Sequence, residues 1–247
     1  MYTNAYIFKY ASIMVIITAA ILSAAAMLLK PFQETNAAID KMGGILVSAE
    51  VPNVDADNAM KLFNKFVTEE IVVDRNGDIV DVYKGDNMEN GKAFNIDLKK
   101  ELYRKSKNEP FELPVYVVEI DNDKLYIFPL RGVGLWGPVW GNIALDDDLS
   151  TIKGVKFDHA KETPGLGAEI STNMFSDQFR NKKIFNSEGD FTSITVKKGG
   201  VETLPENQQI HGVDAITGGT ITSDGVNDMI YNVLEAYLPF IEKERKK

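Results

Sequence analysis

The chain reads as an α+β protein: a single N-terminal transmembrane helix, then a soluble domain with a largely antiparallel sheet and flanking helices. Three observations predict this. Residues 11–29 contain no charge and are dominated by aliphatic side chains, and as a helix they would span about 28 Å at about 1.5 Å per residue, enough for a bilayer core. Beyond them, apolar runs of strand length alternate with turn-rich stretches, without the regular βαβ alternation of a parallel sheet. The chain closes on Val226, Met229, Ile230, Val233, Leu234, Tyr237 and Leu238 at helical spacing.

In chain order, residues 1–10 form a short tail and residues 11–30 the anchor, flanked by Lys9 and Lys30 and stopped by Pro31. One lysine on each flank leaves the positive-inside rule nearly silent on orientation. The small residues at 23–26 keep a cleaved signal peptide open, but the apolar run through Leu29 and the sparse positive charge ahead of it favour a retained anchor. Residues 31–110 form a membrane-proximal helical and hairpin region. A helix over 33–49 sets Ala38, Ile39, Met42, Ile45 and Leu46 on one side. A second, over 57–67, packs Leu62, Phe63 and Phe66, with Asp55 or Asp57 as its cap. Strands over 71–74 and 79–82 flank Arg75-Asn76-Gly77-Asp78, a hairpin signal through the Asn-Gly pair.

A short helix over 97–105 leads into the domain at 111–247. Its strands are expected over 115–120, 125–130, 142–145 and 152–157, followed by a helix near 168–180 and a strand near 191–196. A strand end at 213–216 and the last helix, from Thr222 with Thr222 or Ser223 as cap, complete it.

Composition excludes several chemistries. There is no cysteine, which removes disulfides, thiolate zinc sites, Cys-ligated iron–sulfur clusters and c-type haem attachment. Only His159 and His211 remain as imidazoles. Redox chemistry would therefore need an organic cofactor. A net charge of -9 argues against nucleic acid as a partner. Asp146-Asp147-Asp148 lacks the glycine and the twelfth-position glutamate of an EF-hand and reads as a solvated turn. Neither a GxSxG nor a P-loop is present.

Three segments stand out. Gly-Val-Gly-Leu-Trp-Gly at 132–137 matches GxGxxG, but Pro138 and Trp140 stand where the helix of a dinucleotide fold should begin. What remains is either a glycine loop that brings Trp136 to a flat ligand or a packed aromatic. Glu-Thr-Pro-Gly-Leu-Gly at 162–167 forms a rigid turn. The run from Asp214 to Ser223 joins a strand, a glycine turn and a helix N-terminus, which is either a plain cap or an anion site built from free N–H groups and the helix dipole. His159 reads as a surface residue at a strand end, and His211 as a loop residue.

Together, residues 132–138, His-Ala-Lys-Glu-Thr-Pro-Gly-Leu-Gly-Ala-Glu-Ile at 159–170 and Asp-Ala-Ile-Thr-Gly-Gly-Thr at 214–220 resemble the covalent FMN-binding domain family. Within it, they are most similar to the C subunits of sodium-translocating NADH:quinone oxidoreductases, and the likeness extends to the anchor and the stretch to Lys41. The resemblance implies that the phosphate of FMN esterifies Thr220, the last threonine of an Asp-x-x-Ser/Thr-Gly-Ala-Thr motif. It implies Asp214 as the residue by which the motif is recognised. Trp136, Glu162, Thr163, Gly165, Leu166, Thr217, Gly218, Gly219, Ile221 and Thr222 follow as cofactor-binding residues, with no metal site. Thr217 stands where serine is usual and keeps the hydroxyl; Gly219 stands where alanine is usual and adds backbone freedom.

The resemblance further implies a single-pass protein of the bacterial inner membrane with its FMN-binding domain on the periplasmic side. It would relay single electrons towards quinone. Its implied partners are the other membrane subunits of the complex, a flavin transferase during maturation and the lipid bilayer. The G subunit of the related Rnf-type complex is the neighbouring alternative, against which residues 49–109 and the Gly-Leu-Trp-Gly-Pro run count. A membrane-anchored scaffold module, its threonine turn only a cap, is the alternative of another class.

Overall fold

The computed structural model describes residues 3–246; residues 1, 2 and 247, at the ends of the expected tail and domain, lie outside the described residues. The chain divides into two compact units, Met1–Lys41 and Met42–Lys247.

Helix α1 runs Asn4–Ser48 and is long and apolar enough to cross a membrane. Its residues 4–37 are exposed throughout, as suits a segment whose apolar surround is not protein. Pro31 lies inside α1 rather than ending it. Proline removes a single ladder amide, and Thr35 Oγ1 donates to the Pro31 carbonyl (3.0 Å) just beyond. The anchor and the helix expected over 33–49 are therefore one helix, which begins within the expected tail.

In the unit Met42–Lys247, six strands form one antiparallel sheet in the order β2-β1-β3-β4-β5-β6. They are β1 (Val67–Asp74), β2 (Ile79–Tyr83), β3 (Glu112–Ile120), β4 (Asp123–Val133), β5 (Pro138–Leu145) and β6 (Ile152–His159). The regions expected at 31–110 and 111–247 meet inside this sheet, because β1 pairs with β3, Val72 opposite Pro114. The β1–β2 turn follows the Asn-Gly signal: Gly77 takes φ 75, and Asp74 Oδ1 accepts the amides of Asn76 (2.8 Å) and Asp78 (2.9 Å).

Both faces of the sheet are covered, so Leu113–Val118 of β3 is buried without alternation. On one face lies α6 (Thr220–Glu244), whose Val226, Met229, Ile230, Val233, Leu234 and Tyr237 join Val115, Val117, Phe128, Ile143 and Phe157 in the main core. The Tyr237 hydroxyl donates to the Pro114 carbonyl (2.9 Å), which satisfies its one buried polar atom. On the other face Phe63 of α2 (Ala59–Phe66) packs edge-on against Tyr116 and against Phe94 of α3 (Lys92–Asn95). Met42, Ile45 and Leu46, at the end of α1, are fully buried. Helix α4 (Leu98–Ser106) is capped by Asp97, whose side chain accepts the amides of Lys99 and Lys100.

Two elements depart from expectation. Residues 168–180 do not form one helix: a 3-10 turn (Gly167–Ser171), α5 (Asn173–Ser176) and a second turn (Asp177–Phe179) follow one another. Thr172 is extended between the first two, which lets Phe175 and Phe179 both reach Phe157, at ring distances of 5.9 and 5.3 Å. The strand near 191–196 shrinks to β7 (Thr195–Lys197), which pairs in parallel with β8 (Gly212–Asp214). Asp148 closes the β5–β6 turn by accepting the amides of Ser150 (2.8 Å) and Thr151 (2.7 Å).

Candidate functional site

Three segments converge at the N-terminal end of α6. β4 and β5 pair out to Val133 opposite Pro138, leaving a short loop closed by the Gly134 amide on the Gly137 carbonyl (2.8 Å). β6 pairs with β5 as far as His159 opposite Val139, which delivers residues 160–167 beside that loop. After β8, Gly218 at φ 77 turns the chain into α6, a left-handed conformation that favours glycine.

Helix α6 begins at Thr220, two residues earlier than expected, and no side chain caps it. Thr222 and Ser223 are not caps. The Thr222 hydroxyl donates to Glu162 Oε2 (2.5 Å), and Ser223 Oγ accepts the Ile216 amide (3.0 Å); both residues are buried. Thr220 is half-buried, and its hydroxyl makes no hydrogen bond among the described residues. A helix start without a cap leaves amide donors and the positive end of the dipole available beside that hydroxyl.

Glu162 holds the segments together. It is 5% exposed; Oε1 accepts the Trp136 amide (2.8 Å) while Oε2 accepts the Thr222 hydroxyl. Its own amide donates to His159 Nδ1 (3.2 Å), which leaves the imidazole proton on Nε2. The segments pass close enough to leave little room for side chains at two glycines. A Cβ on Gly134 would stand 2.6 Å from Glu162 Oε1, and one on Gly219 would stand 3.2 Å from the Gly167 nitrogen. Large apolar side chains stay open on the same segments: Trp136 is 62% exposed, Ile221 58% and Leu166 42%. Apolar surface beside a few fixed polar groups suits a flat, anion-bearing ligand.

Of the expected residues, Glu162 joins Trp136 to Thr222 in the first turn of α6, Leu166 lies against Gly218 and Gly219, and Ile221 follows Thr220 in the helix. Thr163 contributes its carbonyl, which accepts the amides of Leu166 and Ala168 (both 3.1 Å). Gly165 contributes a left-handed φ of 74 and an amide bonded to Glu169 Oε1 (3.0 Å). These two shape the loop. Thr217 is exposed ahead of the turn. Asp214 is engaged elsewhere: its carboxylate accepts the Val201 amide (2.6 Å), and its own amide donates to Gln178 Oε1 (2.8 Å). Among the described residues no His, Asp or Glu cluster could hold a metal ion.

Sequence reasoning misses two contributors. His159, read as a surface residue, orients Glu162, and its only sign is the three-residue spacing. Gly225 lets α6 lie against β4, because a Cβ there would collide with the Val133 carbonyl. A glycine inside an amphipathic helix, disfavoured by about 1 kcal/mol relative to alanine, is the legible sign.

The sequence profile of the FMN-binding domain matches residues 134–235, a span that begins inside the first segment, at Gly134, and contains the other two. The C subunit of the Na(+)-translocating NADH-quinone reductase of Haemophilus ducreyi is 31% identical over 223 residues, covering 86% of this chain and 82% of that protein. Its counterpart in Vibrio campbellii is 32% identical over 226 residues, covering 83% and 81%. The crystal structure of the C subunit from Parabacteroides distasonis superposes with a TM-score of 0.73 at 39% identity, covering 86% of this chain and 96% of that one. Identity at this level across nearly whole chains, joined to the shared fold and the FMN-binding domain, shows that the chain belongs to the family of C subunits of Na+-translocating NADH-quinone reductases, which are oxidoreductase complexes.

Proposed function

We propose that this chain carries electrons within a sodium-translocating NADH:quinone reductase through FMN bound as a phosphoester to the Thr220 side chain. One observation carries the attachment point. Thr222 and Ser223 have their hydroxyls engaged inside the fold, whereas the Thr220 hydroxyl is unpartnered at the uncapped start of α6. Thr217 lies before the left-handed Gly218, off the helix. A phosphate ester keeps negative charge, which a helix N-terminus stabilises by about 0.3–1 kcal/mol.

Gly218 and Gly219 allow the backbone to pass close to the phosphate. Trp136, Leu166 and Ile221 offer the isoalloxazine ring apolar contact and shield it from water, while Thr163 and Gly165 shape the loop beside it. The bound flavin supplies one-electron chemistry, which the protein orients and tunes. Covalent tethering keeps it at a permanently high local concentration.

Helix α1 anchors the chain in the bacterial inner membrane, with the FMN-binding domain on the periplasmic side and other membrane subunits as electron donor and acceptor. Sodium movement belongs to the assembled complex, since residues 11–29 offer no charge for an ion site. A flavin transferase loads Thr220 and recognises Asp214. The C-subunit names of relatives matched over most of their length favour this reading over the Rnf-type G subunit.

The test is Thr220→Ala in the full-length chain, co-expressed with the flavin transferase. The expected result is loss of ultraviolet fluorescence from the denatured band, together with loss of the FMN-minus-water mass on the peptide that contains residue 220. Fluorescence that survives the substitution refutes the attachment.

A further inference from the structure

Glu162 is a buried carboxylate on an otherwise exposed loop, with Lys161 and residues 163–166 all exposed around it. A buried charge persists only when it is well hydrogen-bonded. Both oxygens are bonded, and to different elements: the β4–β5 loop through the Trp136 amide, and the first turn of α6 through the Thr222 hydroxyl. The Trp136 loop is otherwise closed on itself, Gly134 to Gly137. Gly134 and Gly167 both lie where a Cβ would strike this carboxylate, at 2.6 Å from Oε1 and 2.5 Å from Oε2. His159 Nδ1 holds the Glu162 backbone from the other side.

We propose that Glu162 is a positioning residue whose two carboxylate oxygens join the Trp136 loop to the first turn of α6, setting the apolar ring surface in register with Thr220 before any flavin arrives. The purpose of this tie rests on the flavin reading above; its existence is testable without flavin. A charged acceptor suits the task because its hydrogen bonds are roughly twice as strong as neutral ones. Glu162 thus acts through Trp136 and Thr222 rather than as a ligand of the cofactor.

Hydrogen exchange at the Trp136 amide, in the flavin-free full-length chain in detergent, tests the tie. Glu162→Ala is expected to speed exchange by about tenfold or more, the factor for losing one hydrogen bond to a charged group. Glu162→Gln should restore most of the protection, since its carbonyl still accepts from Trp136 and its amide can donate to Thr222. Thr222→Val removes only the α6 arm and should leave Trp136 better protected than Glu162→Ala does.

In the flavin-loaded chain, Glu162→Ala should shift the flavin's midpoint potential and its visible circular dichroism, and Glu162→Gln should bring the dichroism back towards wild type. Equal Trp136 exchange in wild type and Glu162→Ala overturns the proposal, as does unchanged flavin dichroism in a folded Glu162→Ala. If that variant does not fold, a Glu162→Gln variant with an unprotected Trp136 amide overturns it. A wild-type chain without FMN on Thr220, yet with Glu162-dependent protection of Trp136, removes the flavin assignment and upholds the tie.

Discussion

Gly167→Ala tests how tightly the site is packed. The φ of Gly167 lies outside the left-handed region, so alanine meets no backbone strain there; the obstacle is space. Its Cβ would stand 2.5 Å from Glu162 Oε2 and 3.0 Å from Thr222 Cβ, and closer still to the Thr222 hydroxyl. The methyl must open the Glu162–Thr222 hydrogen bond or push the 167–171 turn away from α6. Overpacking of this kind costs about 1–3 kcal/mol, and losing a hydrogen bond to a charged group costs about 1.5–3 kcal/mol. The two overlap, because opening the bond relieves part of the crowding, so the expected loss is about 2–4 kcal/mol. In a domain of this size that lowers Tm by roughly 4–16 °C. Thermal unfolding of the full-length chain in detergent, followed by circular dichroism, measures it. In a Thr222→Ala background the nearest clash is gone, and Gly167→Ala should cost at least about 1 kcal/mol less, a coupling that the double-mutant cycle isolates. Stability within about 0.5 kcal/mol of wild type, or the same cost in both backgrounds, refutes the packing argument.

Gly219→Ala should be mild by comparison. Gly219 has φ -107, which alanine tolerates, and its Cβ would meet the Ile216 methyl at 3.0 Å and the Leu166–Gly167 backbone at 3.2 Å. A shift of a few tenths of an ångström accommodates it, so stability should change by less than about 1 kcal/mol and the mass of the Thr220 peptide should still show FMN; a loss above about 2 kcal/mol would show that the turn cannot yield. Asp148 gives a pH signature. Burial pushes its carboxyl up, but the Thr151 hydroxyl and the Thr151 and Ser150 amides outweigh this and hold its pKa below the ordinary value. A depressed folded-state pKa contributes stability that is fully present above the unfolded value of about 3.9 and is lost as pH falls through the folded value. Asp148→Asn should therefore be less stable than wild type at pH 6, with the gap closing below about pH 4. Urea midpoints measured across that range check it, and a gap independent of pH refutes it.

The antiparallel sheet is legible in the sequence because its strands are apolar runs bounded by Asp-Asn-Asp and Asp-Asp-Asp turns and by an Asn-Gly hairpin. Their ends are less so: β4 and β5 extend to Val133 and Pro138 because they pair with one another, not because of their own residues. The periodicity over 168–180 suggests one helix, yet three phenylalanines cluster better when the chain breaks at Thr172. Pro31 reads as a stop because its missing donor is a local property, whereas α1 runs through it, with the Thr35 hydroxyl donating to the Pro31 carbonyl.

By itself, the sequence determines the apolar span, the strand set, the amphipathic face of α6 and a glycine turn holding several hydroxyls, because each is a pattern over neighbouring residues. Only the tertiary structure decides which hydroxyl in the first turn of α6 is free. Thr222 is drawn inward by a carboxylate 60 residues earlier in the chain and Ser223 by the Ile216 amide 7 residues before it, and Thr220 is left open at the helix start. That choice depends on β4, β6 and α6 meeting at one point, which long-range strand pairing sets and no local pattern encodes.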